Sequence, residues 1–156
     1  MTLRLLGAAV LVLAACGSGD EGSSGAGGSP PPAADLAGDA ALVLVVDVPD
    51  PLVAGRPVTW TLTVSNRSAT DVTLTFPSSQ QGDVALVAPD GREAYRWSDG
   101  MMFAQAIVAT QLAAGGEETF ELTGPLDVAP GEYTLEASAT SDPAPEPVTR
   151  TVTVDG

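Results

Sequence analysis

From Ala41 onward, apolar and polar residues alternate with a period of two, the spacing of strands with one face buried. The cleanest stretch sets Val58, Trp60, Leu62 and Val64 against Thr59, Thr61, Thr63 and Ser65. Val72, Leu74 and Phe76 repeat the pattern against Thr73 and Thr75. Leu42 to Val46 is instead a continuous apolar run, which predicts a strand buried on both faces. Further strands are predicted near Asp83–Val87, Glu93–Trp97, Gln105–Leu112, Glu118–Leu122, Glu132–Ala139 and Val148–Val154. The breaks between them carry turn chemistry. They are Pro49, Pro51 and Gly55, then Asn66-Arg67-Ser68, Pro89-Asp90-Gly91, Gly115-Gly116, Gly124-Pro125, Pro130-Gly131 and Pro143 to Pro147. Asn66 opens an Asn-Arg-Ser triplet, read here as a turn and not as a glycosylation site. Short strands with turn signals every ~8–12 residues predict a sandwich or a barrel.

One stretch favours the sandwich. Asp127 to Leu135 is similar to the tyrosine corner of immunoglobulin-like domains, with Tyr133 as the corner residue. Leu135 stands two residues later, where an antibody domain has its second cysteine, so an apolar pair would replace the disulfide. The expectation is all-β: an immunoglobulin-like antiparallel β-sandwich of about seven to nine strands over residues 41–156.

The first 40 residues follow other patterns. Met1 to Ala15 has one early charge, Arg4, and then an apolar run from Leu5 too short for a permanent span of ~20 residues. It ends in Leu13-Ala14-Ala15-Cys16, which looks like a bacterial lipobox. That likeness implies cleavage of residues 1–15, a diacylglycerol thioether on Cys16, and a lipid anchor in the cell membrane facing outside the cytoplasm. The alternative is an ordinary secretory leader with an unrelated cysteine. That the chain's single Cys falls at the lipobox position favours lipidation. Residues 16–40 then form the lipidated start and a Gly/Ser/Pro-rich tether, with no apolar periodicity and a span of roughly 25 Å.

Composition narrows the chemistry. Twenty Asp and Glu stand against six Arg, there is no Lys, and the formal charge is −14. Such a surface repels phosphates, so no nucleic-acid partner is expected, and contact with the bilayer is expected only through acylated Cys16. With no His, no Lys and one Cys, the chain lacks the parts of Ser-His-Asp, Cys-His and Ser-Lys sites and of Schiff-base chemistry. The usual zinc ligands are missing too. A two-carboxylate glycosidase is permitted by inventory, but Glu121, Glu132 and Glu136 fall on outward strand positions and Asp71 and Asp90 in turns. Asp47 and Asp50 lack the spacing of a calcium loop. Met101 and Met102 are adjacent, and in a strand would face opposite ways, so packing outweighs copper ligation. No enzyme activity, cofactor or metal site is expected.

Phe76 to Phe103 is the least monotonous part of the chain. Asn66, the run Val72 to Gln80 containing Phe76, the turn pair Asp90-Gly91, then Arg96-Trp97-Ser98-Asp99-Gly100 and Met102-Phe103-Ala104-Gln105-Ala106 follow in order. Leu112, Gly116-Glu117, Phe120 and Pro130 to Thr134 continue the series. Together they resemble the BsuPI intracellular proteinase inhibitor family, over about Val58 to Ala139. The resemblance implies an immunoglobulin-like sandwich and, in the founding member, inhibition of a subtilisin-type serine protease. Two positions depart from the family pattern. Gly82 stands where an aromatic tends to follow the Gln, and Leu122-Thr123-Gly124 where a Trp tends to follow the Phe. The lipobox places this domain outside the cell, so the domain carries over and an intracellular target does not.

A serine protease is thus the candidate partner. Inhibitors commonly present a rigid loop to the protease cleft, and subtilisin-type S1 pockets accept Met or Leu. Ser98-Asp99-Gly100-Met101-Met102 is the candidate contact loop, with Met101 as the inserted side chain. The competing reading keeps Trp97, Met102 and Phe103 in the core and Asp99-Gly100 as a plain turn. Gln80 and Gln105 either pin this loop or are exposed. Phe76, Gln80, Trp97, Phe103, Gln105 and Tyr133 are read as structural members of the family motif. Two other functions stay open: a non-inhibitory interaction or accessory module of the cell envelope, and a polysaccharide- or metal-binding module.

Overall fold

The computed structural model describes residues 41–156. The leader, Cys16 and the tether lie outside the described residues. Residues 41–156 are all-β, with ten strands and no helix.

The first sheet has the order β1 (Leu42–Asp47), β3 (Pro57–Asn66), β8 (Glu117–Pro125), all antiparallel. The second has the order β2 (Leu52–Val53), β10 (Val148–Asp155), β9 (Gly131–Ala139), β5 (Gly82–Val87), β6 (Glu93–Arg96). It is antiparallel except where β2 runs parallel to β10. A third, two-stranded sheet pairs β4 (Val72–Phe76) with β7 (Val108–Leu112). This is an immunoglobulin-like sandwich. All nine strands expected from the sequence form. The tenth is the two-residue β2, hidden among prolines.

Period-two alternation drives the packing. Val58, Trp60, Leu62 and Val64 of β3 all face inward, while Thr59, Thr61, Thr63 and Ser65 face outward. The outward residues pair across to β8, with Thr59–Thr123 hydroxyls at 2.9 Å and Thr63–Thr119 hydroxyls at 3.2 Å. Leu74 and Phe76 of β4, Val84 and Leu86 of β5 and Leu135 of β9 complete one continuous core. Phe76 meets Phe120 edge-on, with ring centroids 5.5 Å apart. Each large apolar side chain buried this way stabilises by about 1.5–3 kcal/mol.

Leu42–Val46 differs from its sequence expectation. Leu42, Leu44 and Val46 are buried, but Val45 is 51% exposed. β1 belongs to one layer of a sandwich, so, as for β3, only one of its faces meets the core. A run of Leu and Val does not by itself distinguish one buried face from two.

Two local predictions hold. The Tyr133 hydroxyl donates to the Ala129 carbonyl at 2.8 Å, closing the tyrosine corner, and Leu135 is fully buried in the core. Asn66 is turn chemistry, and buried. Its amide nitrogen donates to the carbonyls of Thr70, Leu112 and Ala113 at 2.8, 3.1 and 3.0 Å. Its side-chain oxygen accepts from the N–H and hydroxyl of Ser68 at 3.0 and 2.7 Å. One side chain therefore ties the end of β3 to the connection between β7 and β8.

Candidate functional site

The region of interest begins where β6 ends. The Trp97 N–H donates to the Val84 carbonyl at 2.8 Å, extending the β5–β6 pairing by one residue. Trp97 to Gly100 then turn, with the Asp99 N–H on the Arg96 carbonyl at 3.2 Å and the Met101 N–H on the Ser98 carbonyl at 3.1 Å. Gly100 has φ +73°, the left-handed region that suits glycine.

Asp83 anchors this turn from β5. Its carboxylate accepts from the Ser98 hydroxyl at 2.9 Å, the Ser98 N–H at 3.3 Å and the Val84 N–H at 3.0 Å. Arg96 adds an ion pair at 2.8 Å and also holds Glu93 through its Nε at 3.1 Å. Hydrogen bonds donated by Arg96 to Glu93 and Asp83 raise its pKa further, so the guanidinium stays charged. Asp83 is buried, and a buried carboxylate is tolerated only when paired this fully.

Met101 to Ile107 follow without strand pairing. The segment is held at two places. Ala104 and Ser79 are reciprocally bonded: the Ala104 N–H donates to the Ser79 hydroxyl at 2.9 Å, and the Ser79 N–H donates to the Ala104 carbonyl at 3.0 Å. Phe103 lies half-buried against Trp97, centroids 5.7 Å apart. Just before these fixed points Met102 is 96% exposed, and just after them Ile107 is 77% exposed, while Met101 is exposed to a lesser degree, at 36%.

Of the three residues that the competing reading kept in the core, Trp97 is half-buried against it, Phe103 packs on Trp97, and Met102 is exposed. The strand expected from Gln105 begins only at Val108, where pairing with β4 starts; just before that stretch Ala104 is bonded to Ser79 instead. Gln105 is exposed and its amide reaches only the Phe103 carbonyl, at 3.4 Å. Gln80 does not touch the segment. Its amide donates to the Gly82 carbonyl at 3.4 Å, and its own carbonyl accepts from Thr140. The pins are Ser79 and Asp83, which periodicity does not single out. The one available signal is an Asp inside an apolar strand, Gly82 to Val87, whose other side chains pack or pair.

Beside the turn, the Trp97 indole N–H donates to the Thr123 carbonyl at 3.1 Å. The Tyr95 hydroxyl accepts from the Trp60 indole at 3.4 Å. Burial raises the Tyr95 pKa, the bond from Trp60 opposes this, and the charges of Asp83 and Asp127 add to it. Among the described residues no group of three or more His, Cys, Asp or Glu is assembled for a metal ion. Among them, too, no helix is long and apolar enough to cross a membrane.

The model of the BsuPI family, described as an intracellular proteinase inhibitor, matches residues 50–144. The chain belongs to the BsuPI family. The matched BsuPI region runs from the start of β2 past the end of β9 and includes Asp83, the turn and the whole Met101–Ile107 segment. It is a proteinase-inhibitor-like domain. No curated protein matches the chain.

Solved structures similar to this BsuPI chain are found at low identity. One is the Pseudomonas fluorescens alkylpurine DNA glycosylase AlkC bound to DNA, at 13% identity and TM-score 0.45, covering 75% of this chain and 31% of that one. Another is a CARDB domain from Pyrococcus furiosus in complex with di-metal ions, at 16% identity and TM-score 0.43, covering 72% and 86%. A third is the sporulation control protein Spo0M from Bacillus subtilis, at 14% identity and TM-score 0.48, covering 76% and 51%. The chain thus spans about a third of AlkC and about half of Spo0M.

Proposed function

We propose that this domain inhibits a serine protease of the subtilisin type by direct binding, with Met101–Ile107 as the segment that enters the protease cleft. The observation that carries this reading is Met102, 96% exposed immediately before Phe103 and Ala104, which are held by Trp97 and Ser79. An exposed Met of this kind is unusual for a side chain that packing would normally claim. Held in place beforehand, it loses little freedom on binding. Met102, more than Met101, is the residue that enters S1, and Ser98, Asp99 and Gly100 form the turn that supports it. The leader adds the location: a lipoprotein anchored through Cys16 and facing outside the cytoplasm, whose target is an extracytoplasmic or exogenous protease.

Titration of a subtilisin-type protease with the purified protein tests the reading. Activity is expected to fall in proportion to added protein until a 1:1 complex. Met102→Ala should weaken inhibition by about 30-fold or more, the effect of a central interface residue, and Met101→Ala by much less. Full activity retained across a panel of serine proteases would sink the proposal in favour of a non-inhibitory interaction module. For the anchor, Cys16→Ser should move the protein from the detergent phase to the aqueous phase.

A further inference from the structure

A cleft of about 220 Å³ is lined by Tyr95, Trp97, Met101, Pro125, Asp99 and Asp127, together with Arg96. The polar atoms of its two aromatic rings are already engaged, Tyr95 with Trp60 and Trp97 with Thr123, so the rings offer apolar surface and π faces to the cleft. The one cation in this lining is not available to the cleft's acids, because Arg96 is bonded to Asp83 and Glu93. Among the described residues, neither Asp99 nor Asp127 is paired with a cation. The field in the cleft is therefore negative, in line with the upward push that Asp83 and Asp127 exert on Tyr95 beyond its burial.

A site of this composition has a definite complement. Aromatic faces and a thioether accept the aliphatic part of a long side chain, and the rings attract a cation placed over them. Two carboxylates at the rim then neutralise its charge. A neutral apolar side chain would leave both carboxylates partly desolvated with no partner, and an acidic one would be repelled. We propose that this cleft receives a basic side chain, arginine or lysine, from the protein bound at the Met101–Ile107 segment. The identity of that protein as a protease rests on the function proposed above, whereas the chemistry of the cleft does not. Binding then has two points of contact: Met102 in a pocket of the partner, and a basic side chain of the partner in a pocket of this domain.

The test uses the free protein and a single-cation probe, N-acetylarginine amide, followed through the indole N–H signals of Trp97 and Trp60 by NMR. The Trp97 signal should shift saturably with the arginine amide while that of buried Trp60 stays in place. N-acetylnorleucine amide, similar in length but uncharged, should leave both unmoved. Asp99→Asn with Asp127→Asn should weaken the arginine response by roughly fivefold, and both positions are exposed, so the fold should be unaffected. No shift of Trp97 with arginine, or an equal shift with norleucine, overturns the proposal. If arginine binds but no protease is inhibited, the cleft stands and the protease reading falls. If a protease is inhibited and the doubly substituted protein inhibits it equally well, the cleft proposal falls alone.

Discussion

Asp83 holds Ser98 twice, accepting the side-chain hydroxyl at 2.9 Å and the backbone N–H at 3.3 Å. A strand carboxylate thereby sets the conformation of a turn fifteen residues later in the chain. Asp83→Ala should cost about 2 kcal/mol. It strands Arg96 and the N–H groups of Val84 and Ser98, but Arg96 is partly exposed and recovers water, which keeps the loss below that of a fully buried pair. A denaturant midpoint measures the loss. A variant as stable as the parent would show that the turn forms without its anchor.

Asn66 makes a sharper case. All three carbonyls served by its amide nitrogen lose a donor in Asn66→Ala, at an expected cost of about 3 kcal/mol. Asn66→Asp should be worse, since it replaces that donor with a charged oxygen facing the same carbonyls in a buried site. Thermal unfolding of the two variants should rank them in that order. The reverse ranking would mean that the site admits water.

Gly82 sits where the strand crowds the core. A Cβ there would lie 2.9 Å from Leu62 Cδ2 and 3.2 Å from the Ser138 carbonyl oxygen. Gly82→Ala is therefore expected to destabilise by about 1–3 kcal/mol through overpacking. A neutral result in chemical denaturation would show that Leu62 swings aside freely.

Met102 and Ile107 should behave in the opposite way. Their exposure means that Met102→Ser with Ile107→Ser changes stability by no more than about 0.5 kcal/mol. Calorimetry that finds a large drop would return both side chains to a packing role.

Tyr95 gives the protein an alkaline limb. Its native pKa is raised by burial, so above about pH 10 the unfolded chain releases that proton first. Between the unfolded and native values the unfolded state holds fewer protons, and stability falls as pH rises. In Tyr95→Phe this part of the decline should be absent. Identical pH slopes in parent and variant, read from denaturant midpoints above pH 10, would disprove the linkage.

Much of the fold was legible because β3, β4 and β9 obey a period of two and are bounded by Gly, Pro and Asn. The tyrosine corner was legible for the same reason: it is a local motif with a hydrogen bond spanning four residues. Val45 was not, because an apolar run reads the same whether one face of the strand is covered or both. The site was legible only in outline. Trp97 and the turn at Asp99-Gly100 were marked by composition, but the exposure of Met102 depends on Phe103 finding Trp97 and Ala104 finding Ser79. Those are contacts between segments six and twenty-five residues apart, and no local pattern encodes them.

The two indoles stand in unlike surroundings, Trp60 at 0% exposure in the core and Trp97 at the base of the exposed segment. Fluorescence can therefore separate two events in one unlabelled chain. Emission from Trp60 follows unfolding, and emission from Trp97 follows occupancy of the neighbouring surface. With Trp60→Phe or Trp97→Phe in turn, each event acquires a single reporter, and a partner can be screened by colour change before anything is known about what it does.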